Sequence, residues 1–517
     1  MPGCRRIFRT LRSLLLPGII GLLFILLVAE GAVADEESTR PNIVVFVADD
    51  AGWDDSTAYG NRRVRTPNIQ RLADSGVTFT NAFVTSPQCS PSRASMLTGL
   101  YPHQTGAEDL HTPIPQEVRI LPSYLRDGGY FTGSVLKQHI GRAAASQFDW
   151  YSPRLGRLEA FLDRAGERPF FLWVGFTDPH RPYYDGAIEN PHDPEEVRVP
   201  AHLADTPQTR WEIARYYDEI SRMDAWIGHY LDILEDWGLR ENTVAIYLSD
   251  NGPPFPRAKG SLYDPGVRTP YIWSWPERIE PGTRRNDLTS TVDLAPTLLD
   301  VAGVRPPESM EGRSILAALT GPAGRDGQVD RGRELRGTGG GADPVTNDGT
   351  GGAARDAVFF QRNWHGTEDH IRAVRTRRYK LIINTYEEQP FGLPPDVAQS
   401  ESWASLLRLQ AEGELSRVQQ LNFTTPRPPV EFYDLWRDAR EYTNRAWDEA
   451  YAEEQARLFR ELDAWMARTN DYPPGPEPRG DAVDRVTGRP REWRHRLLLW
   501  AERYVAPWLL PLVEREP

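Results

Sequence analysis

Cysteine is almost absent from this chain, whose 517 residues contain only Cys4 and Cys89. If Cys4 is lost with a cleaved leader, the mature chain keeps one thiol and forms no internal disulfide. This excludes a small scaffold held together by disulfides. Cysteine usage alone would indicate a reducing compartment, although the N-terminal segment indicates the opposite.

Positive charge is also in deficit, because 60 Lys and Arg stand against 73 Asp and Glu, for a formal net charge of −13. This argues against a broad basic surface, and we expect no nucleic-acid partner. An anionic substrate would have to be held by a local cluster of cations rather than by the overall field. The chain can bury a large core, with 39% hydrophobic residues and 16 Trp, and its length favours two domains.

Residues 1–34 are predicted to be a signal peptide, in which a basic start precedes an apolar run from Leu14 to Ala29. An Ala-x-Ala cleavage site ends this segment at Ala34. Arg5-Arg6-Ile7-Phe8 is weakly similar to a twin-arginine export signal. We therefore predict an exported protein, periplasmic or extracellular, or in a lysosome-like compartment of a eukaryote. An uncleaved membrane anchor remains the alternative.

Continuous apolar runs alternate with amphipathic segments over the first 300 residues. Runs of this kind are typical of buried parallel strands, and strands that alternate with helices predict an α/β fold with a mostly parallel sheet flanked by helices. In such a sheet, functional side chains collect beyond the carboxyl ends of the strands. The predicted strands are Asn42–Ala48, Phe131–Leu136, Pro169–Phe176 and Thr243–Leu248. One predicted helix begins at Thr66-Pro67, and a second, longer one covers Thr209–Leu234.

The composition changes after residue 320. Residues 321–355 are rich in Gly, Arg and Asp, which predicts a flexible insertion or linker between a catalytic domain at 35–320 and a smaller C-terminal α+β domain at 356–472. In the smaller domain, Ile371–Thr385 predicts a hairpin and Arg427–Arg468 a strand followed by a helix. The remaining tail, 473–517, includes the apolar stretch Trp493–Val513, which could dock on the body or make weak contact with a membrane surface, but is too short and too Pro-rich to span one.

Cys89 precedes Ser90 and Pro91, which fit an N-cap residue and a proline at the first helical position. With a helix over Ser92–Leu100, Cys89 would face its positive end, where backbone N–H groups favour an anion. Arg93 lies four residues on and can lean over the same face. Together these groups predict a site for a tetrahedral oxyanion. A buried Cys before an ordinary helix is the alternative.

Acidic and amide side chains end two of the predicted strands. Asp49 and Asp50 follow one, and Asp250 and Asn251 follow another. Four oxygen ligands with three formal negative charges suit a hard divalent cation, Ca²⁺ before Mg²⁺. Polar turn caps are the alternative, since Asp and Asn are common at strand ends.

Four further side chains could serve the same site. Lys137 and His139 are two residues apart, so an extended chain would point both to one side. His180 follows a predicted strand and could enter a pocket. Lys259 lies in the loop just beyond Asn251 and could return a cation. Each of these alone would more often be solvated surface.

These motifs resemble the signature of the formylglycine-dependent sulfatases, a family of the alkaline-phosphatase-like superfamily. The resemblance runs from about Asn42 to about Asp471 and, within the family, is greatest to the heparan N-sulfatases. It implies an alkaline-phosphatase-like sandwich. The chain departs from the pattern by its Gly/Arg-rich insertion, its tail, a lysine at 259 in place of arginine, and divergent loops around 183–205. The motifs are Cys89-Ser90-Pro91-Ser92-Arg93 with Leu97-Thr98-Gly99, Phe170–Arg181, Ser249–Pro256, and Phe432–Leu435 followed by Arg440-Glu441.

The resemblance implies that a separate formylglycine-generating enzyme oxidises Cys89 to formylglycine (3-oxoalanine), whose hydrate is the nucleophile. It also implies one bound Ca²⁺ that polarises the sulfate and favours ionisation of the hydrate. The implied metal ligands are Asp49, Asp50, Cys89, Asp250 and Asn251.

The remaining roles also follow from the resemblance. Arg93 and His139 would hold and service the formylglycine hydroxyls, while Lys137 and Lys259 neutralise sulfate oxygens. His180 would protonate the leaving group. The leading hypothesis is therefore an exported sulfatase acting on a sulfated saccharide, with an N-sulfate favoured and an O-sulfate open. The alternatives are a phosphonate or phosphate ester hydrolase of the same superfamily, and a catalytically silent glycan-binding protein.

Overall fold

Strand β1 (Asn42–Ala48) runs through the middle of the larger sheet in this computed structural model, which describes residues 40–321 and 355–489. All seven of its residues are buried, because helices cover both faces of the sheet. Ile43, Val45 and Val47 enter one hydrophobic cluster, and the alternate residues Val44 and Phe46 enter the other. The period of two explains why a parallel strand covered on both faces is apolar throughout.

Within the described residues, the larger sheet has eight strands in the order β4-β3-β5-β1-β6-β7-β2-β8. Strand β7 pairs antiparallel with both neighbours, and the other neighbouring strands pair in parallel. The further strands are β2 (Val77–Phe83), β3 (Phe131–Leu136), β4 (Trp150–Ser152), β5 (Phe170–Gly175), β6 (Thr243–Ser249), β7 (Tyr271–Ser274) and β8 (Thr283–Ser290).

Helices α2, α4 and α9 contribute to the first hydrophobic cluster, whereas α1, α6 and α7 contribute to the second. The sheet is therefore sandwiched between two helical layers. In the residues described up to 321, the helices are α1 (Pro67–Asp74), α2 (Cys89–Thr98), α3 (Pro102–Thr105), α4 (Leu121–Asp127), α5 (Arg142–Ala145), α6 (Leu158–Ala165), α7 (Pro207–Asp236), α8 (Asp264–Val267), α9 (Leu294–Val301) and α10 (Leu316–Thr320).

The described residues after 354 form a four-stranded antiparallel sheet in the order β12-β11-β10-β9. The last helix packs on it through Leu458, Leu462 and Trp465. The strands are β9 (Val358–Trp364), β10 (Glu368–Arg375), β11 (Tyr379–Asn384) and β12 (Val430–Asp434), and the helices are α11 (Pro395–Ala398), α12 (Glu401–Glu412), α13 (Arg417–Gln420) and α14 (Ala452–Arg468).

The predicted α/β class, with a large mostly parallel sheet and a smaller α+β part, is confirmed. The four predicted strands and the long helix are present, with ends that differ by at most two residues. The hairpin expected at 371–385 is β10 with β11, and the later strand and helix are β12 and α14. These elements could be predicted because the two patterns differ. A strand buried on both faces is apolar at every position, whereas a helix buried on one face has apolar residues every three to four positions.

The expected start of the helix after Cys89 is wrong. Helix α2 begins at Cys89 itself, Gln88 is the extended residue before it, and Gly99 ends it in the left-handed conformation at φ 70°. Ser90 is therefore not the N-cap; its hydroxyl instead accepts a hydrogen bond from the backbone N–H of His111 at 2.8 Å. Cys89 lies in the first helical turn rather than in front of it.

The predicted domain boundaries stay predictions. The signal peptide at 1–34, nearly all of 321–355 and the stretch Trp493–Val513 lie outside the described residues. Part of the predicted tail is described and packs on the body, since Trp403 donates from Nε1 to the Val486 carbonyl at 2.7 Å and Arg485 pairs with Asp369 at 3.0 Å. Among the helices that the structure describes, none combines the length and apolarity needed to cross a membrane.

Candidate active site

The candidate site lies where β1 and β6 end side by side. These strands pair in parallel up to Ala48 and Ser249, so the polar residues after each strand are neighbours. Asp50 adopts a left-handed conformation at φ 75°, and its backbone N–H donates to Asp250 Oδ1 at 3.1 Å. Asn251 Nδ2 donates to Asp50 Oδ1 at 2.7 Å. The two predicted pairs of metal ligands therefore meet, all buried.

Cys89 is brought to this cluster by the start of α2. Its Sγ lies 3.8 Å from Asp50 Oδ1, and the residue is buried. Burial raises the pKa of the Cys89 thiol well above its usual value, and Asp250 and Asp49 add to this effect against Lys137. The protein environment therefore favours a neutral thiol at this position.

Each of the three carboxylates accepts a hydrogen bond from a different cation. Arg93 Nε donates to Asp250 Oδ2 at 2.7 Å and Lys137 Nζ to Asp49 Oδ2 at 2.6 Å. Lys259 Nζ donates to Asp50 Oδ2 at 2.7 Å. Paired cations stabilise buried carboxylates that would otherwise be costly to desolvate.

The charges shift the pKa values of the carboxylates in opposite directions. Burial alone would raise the pKa of Asp49, but Lys137, His180 and Arg93 outweigh burial and hold that pKa well below its usual value. Burial raises the pKa of Asp250 to about 6 against the opposing effect of Arg93. The cluster therefore concentrates negative charge on Asp49, beside Cys89.

Some oxygens of the cluster lack donors, and this is the test of whether a cation fits. Asp49 Oδ1 and Asn251 Oδ1 are buried and have no hydrogen-bond partner among residues 40–321 and 355–489. Ligand atoms of Asp49, Asp50, Cys89 and Asp250 all lie within 4.8 Å of one another. A buried oxygen without a partner costs free energy. A hard divalent cation would satisfy these carboxylate and amide oxygens by binding to them.

His180 follows β5 at the edge of the cluster. Its Nδ1 contacts the Arg181 carbonyl oxygen at 2.5 Å, and a carbonyl can only accept, so Nδ1 carries the proton. Its Nε2 lies 3.8 Å from Asp50 Oδ2. The ring therefore presents Nε2 to the site, as expected for a histidine directed into a pocket.

Lys137 reaches the site, and His139 lies within electrostatic range of it, but the segment that carries them is not extended. Leu136 and His139 have positive φ values of 57° each, so the chain turns sharply after β3. His139 Nε2 lies 2.8 Å from Nδ1 of His111, which itself has a φ of 68°. His139 Nδ1 is buried and has no hydrogen-bond partner in the described part of the chain. The contact to His111 therefore orients the ring of His139.

One acidic residue of the second part of the chain also reaches the site. Asp396, in α11, accepts a hydrogen bond from Lys259 Nζ at 2.9 Å. Suitable ligand atoms of Asp396, Asp50 and His180 lie within 4.8 Å of one another. Burial alone would raise the pKa of Asp396, but Lys259 and His180 outweigh it and hold the pKa below its usual value. Asp396 is therefore a carboxylate beside Lys259 and His180.

The structure thus brings every predicted site residue to one place. Sequence reasoning missed Asp396 and His111. Asp396 lies 137 residues from its partner Lys259 in a Pro-rich stretch, and His111 lies in an irregular loop, so no local spacing indicated either. The predicted residues that meet are Asp49, Asp50, Cys89, Arg93, Lys137, His139, His180, Asp250, Asn251 and Lys259.

A buried acidic cluster with facing cations, beyond the carboxyl ends of a parallel sheet, fits the class of hydrolases that act on anionic esters. A family model described as Sulfatase matches residues 41–153 and 154–304. The chain belongs to the sulfatase family and is a sulfuric ester hydrolase.

Two curated relatives span most of the chain. A human N-sulphoglucosamine sulphohydrolase is 31% identical over 486 residues, covering 84% of this chain and 91% of the relative. An ulvan-active sulfatase of Formosa agariphila is 30% identical over 486 residues, covering 84% of this chain and 76% of the relative.

A solved structure shares the fold. It is a protein in complex with its substrate D-glucosamine-2-N,6-O-disulfate, with a TM-score of 0.63 at 20% identity. The match covers 84% of this chain and 99% of the other. The shared architecture confirms the predicted alkaline-phosphatase-like fold.

Proposed function

We propose that this chain is an exported sulfatase that removes a sulfate, by preference an N-sulfate, from a sugar of a sulfated glycan. One observation carries the proposal: Cys89 lies in a buried acidic cluster that has oxygens without donors and has lysines beside it. The similarity to a human N-sulphoglucosamine sulphohydrolase over most of both chains supports the N-sulfate. The predicted signal peptide supports export.

The cluster fits one Ca²⁺, with Asp49, Asp50, Asp250, Asn251 and the modified Cys89 as ligands. A bound calcium would supply Lewis acidity toward the sulfate. Oxidised to formylglycine by a separate maturation enzyme, residue 89 would supply an aldehyde hydrate as nucleophile. Calcium is favoured over magnesium because Mg²⁺ usually keeps several waters and binds through one or two carboxylates, whereas this site offers three carboxylates and an amide.

The cations hold the anionic substrate against this acidic background. Lys137 donates to Asp49, and Lys259 donates to both Asp50 and Asp396. An ammonium has three N–H groups, so each lysine keeps at least one for a sulfate oxygen. Arg93 is fixed by Asp250 and by the Lys137 carbonyl at 3.0 Å, so its guanidinium holds one position. We assign Arg93 and His139 to the hydroxyls of residue 89. Charge neutralisation by fixed donors is the largest expected contribution of the protein.

His180 donates the proton that the leaving group needs. With Nδ1 held by the Arg181 carbonyl, Nε2 faces the cluster and is the atom that gives up the proton. The proton passes to the sugar atom that loses the sulfate, because that atom retains the electron pair of the broken bond.

The test is sulfate release by calcium-loaded protein in which residue 89 has been matured, from defined N-sulfated and O-sulfated saccharides. We expect release with N-sulfoglucosamine preferred, and loss of release in Cys89→Ala. A mass spectrum of the peptide that contains residue 89 checks its oxidation. Absence of release from any sulfated saccharide, or faster turnover of an aryl phosphonate than of an aryl sulfate, would contradict the proposal.

A further inference from the structure

Asp396 is the carboxylate of the site that lies outside the proposed ligand set, and it shares its cation, Lys259, with Asp50. It comes from α11, beyond the second sheet, whereas the metal-ligand candidates come from the ends of β1 and β6 and the start of α2. Three carboxylates already match three cations, so Asp396 adds a fourth negative charge beside a pocket for an anion. Such a charge is unfavourable toward the sulfate unless it faces another part of the substrate.

Burial separates the deep side of the site from its open side. The side chains of Asp49, Asp50 and Lys259 are at most 2% exposed. Asp396 is 20% exposed and His180 is 24% exposed, so these two line the opening. A sugar can enter from that side, and its sulfate then points toward the deep cluster. The atom that connects the sugar to the sulfate would then lie on the side of the site that Asp396 lines.

That connecting atom differs between the two classes of substrate. In an N-sulfate it is a nitrogen that carries a hydrogen and can donate to a carboxylate, whereas in a sulfate ester it is an oxygen that offers lone pairs alone. A carboxylate beside this atom stabilises the first and repels the second. Sites built to receive an N–H reject an analogue that lacks it.

We propose that Asp396 is a specificity-determining residue that accepts a hydrogen bond from the nitrogen of an amino sugar and so selects N-sulfates over O-sulfates. The inference rests on the proposed function and names the substrate class of the same site. As the S–N bond breaks, sulfur passes to the nucleophile and nitrogen keeps the electron pair. The nitrogen takes one proton from His180 and a second from water, and the resulting ammonium pairs with Asp396.

The structure also offers a competing role, in which Asp396 only positions Lys259 through their contact at 2.9 Å. The two roles differ in their dependence on substrate. Loss of Lys259 positioning would weaken every sulfate equally, because Lys259 would meet the sulfate itself. Loss of amine recognition would weaken N-sulfates alone.

The test compares wild type, Asp396→Asn and the control Asp434→Asn on N-sulfoglucosamine and on glucosamine 6-sulfate. Like Asp396, Asp434 pairs with a cation, in its case Arg378 at 2.8 Å, but it belongs to β12 of the second sheet. We expect Asp396→Asn to lower kcat/KM about 100-fold on the N-sulfate and less than about threefold on the ester. The control Asp434→Asn should leave kcat/KM unchanged on both substrates. Equal losses on both substrates, or no loss on the N-sulfate, would overturn the inference.

A second measurement keeps this result separate from the proposed function. Glucosamine and N-acetylglucosamine are compared as inhibitors of whichever sulfate the wild type cleaves best. We expect wild type to bind the amine more tightly than the acetamide and Asp396→Asn to lose this preference. If wild type cleaves esters alone, the proposed N-sulfate preference fails, yet the inhibition still decides amine recognition. Equal inhibition of wild type by both sugars would overturn the role of Asp396.

Discussion

Two buried clusters of this molecule have nearly the same side chains and differ in what they leave unpaired. The open cluster is the candidate active site, and the closed cluster joins α8 to the second sheet. Both pair carboxylates with arginine and lysine in the interior. The open cluster consists of Asp49, Asp50, Asp250, Cys89, Arg93, Lys137 and Lys259, and the closed cluster of Asp264, Glu441, Arg375 and Lys380.

Every carboxylate oxygen of the closed cluster lies within 3.0 Å of a nitrogen of the same cluster, although Glu441 Oε1 meets Lys380 Nζ as an ion pair without hydrogen-bond geometry. Arg375 donates to both oxygens of Asp264 at 3.0 Å each, and Lys380 bridges Asp264 at 2.6 Å and Glu441 at 2.7 Å. Two positive charges meet two negative charges, and no side chain is more than 8% exposed. Such a cluster is charge-balanced and closed to solvent. Its contribution is to hold α8 against β10 and β11.

The open cluster has the same balance of charge, but Asp49 Oδ1 lacks a donor and Lys137 reaches its opening. Buried ion pairs alone therefore do not indicate a functional site. Oxygens without hydrogen-bond donors, next to an opening to solvent, do indicate one. The three lysines of the sequence make the point, because two serve the open cluster and the third serves the closed one.

The largest expected effect is that of Cys89→Ala. If the open cluster acts through residue 89, sulfate release falls by more than about 10⁴-fold, since a nucleophile is lost. Stability should change little, and Tm should stay within about 3 °C because one small side chain is shortened. Sulfate release and calorimetry measure both. Activity above a hundredth of wild type would contradict the assignment.

The next effect sets one lysine against another. Lys259→Met should lower kcat/KM about 10²- to 10³-fold by removing a cation from the sulfate pocket. Lys380→Met should instead lower the free energy of unfolding by about 3–5 kcal/mol, because it leaves Asp264 and Glu441 buried with one cation fewer. Denaturant unfolding and kinetics on the folded protein measure the two effects. A larger loss of kcat in Lys380→Met than in Lys259→Met would contradict the assignment of the open cluster to catalysis and the closed cluster to stability.

The smallest effect concerns the contact between His111 and His139. His111→Leu removes the partner of His139 Nε2, so we expect kcat to fall about tenfold with KM nearly unchanged. His111→Asn places an amide near the former Nδ1 and should restore kcat to within about threefold of wild type. Steady-state kinetics of both variants measure this. Equal loss in Leu and Asn variants would mean that the contact has no orienting role.

Much of the fold could be predicted because its signals are local. The apolar run of β1 and the amphipathic period of α7 predicted the right elements at nearly the right residues. The start of α2 was missed because Ser90 and Pro91 fit an N-cap pattern as well as they fit the first turn that they occupy. Helix ends depend on small differences in local energy, and tertiary contacts decide them.

The site residues that could be predicted lie just after strands. Because parallel strands end at the same edge of a sheet, residues far apart in sequence come close together there. Asp50 and Asp250 are 200 residues apart in sequence, yet their places at the ends of two predicted strands were enough to predict a shared metal site, and the pairing of β1 with β6 brings them into contact. Asp396 could not be found this way, because it reaches Lys259 from α11 and no strand register connects them. His111 is similar, since two residues with positive φ bring its ring to His139.

The central claim is that the open cluster binds one divalent cation beside residue 89, and calorimetric titration of chelator-treated protein with Ca²⁺ tests it most directly. We predict one calcium site per chain, loss of that site in Asp49→Asn, and retention of it in the control Asp434→Asn. We also predict weaker binding of Mg²⁺. Absence of calcium binding to the folded wild-type protein, or unchanged binding in Asp49→Asn, would contradict the account.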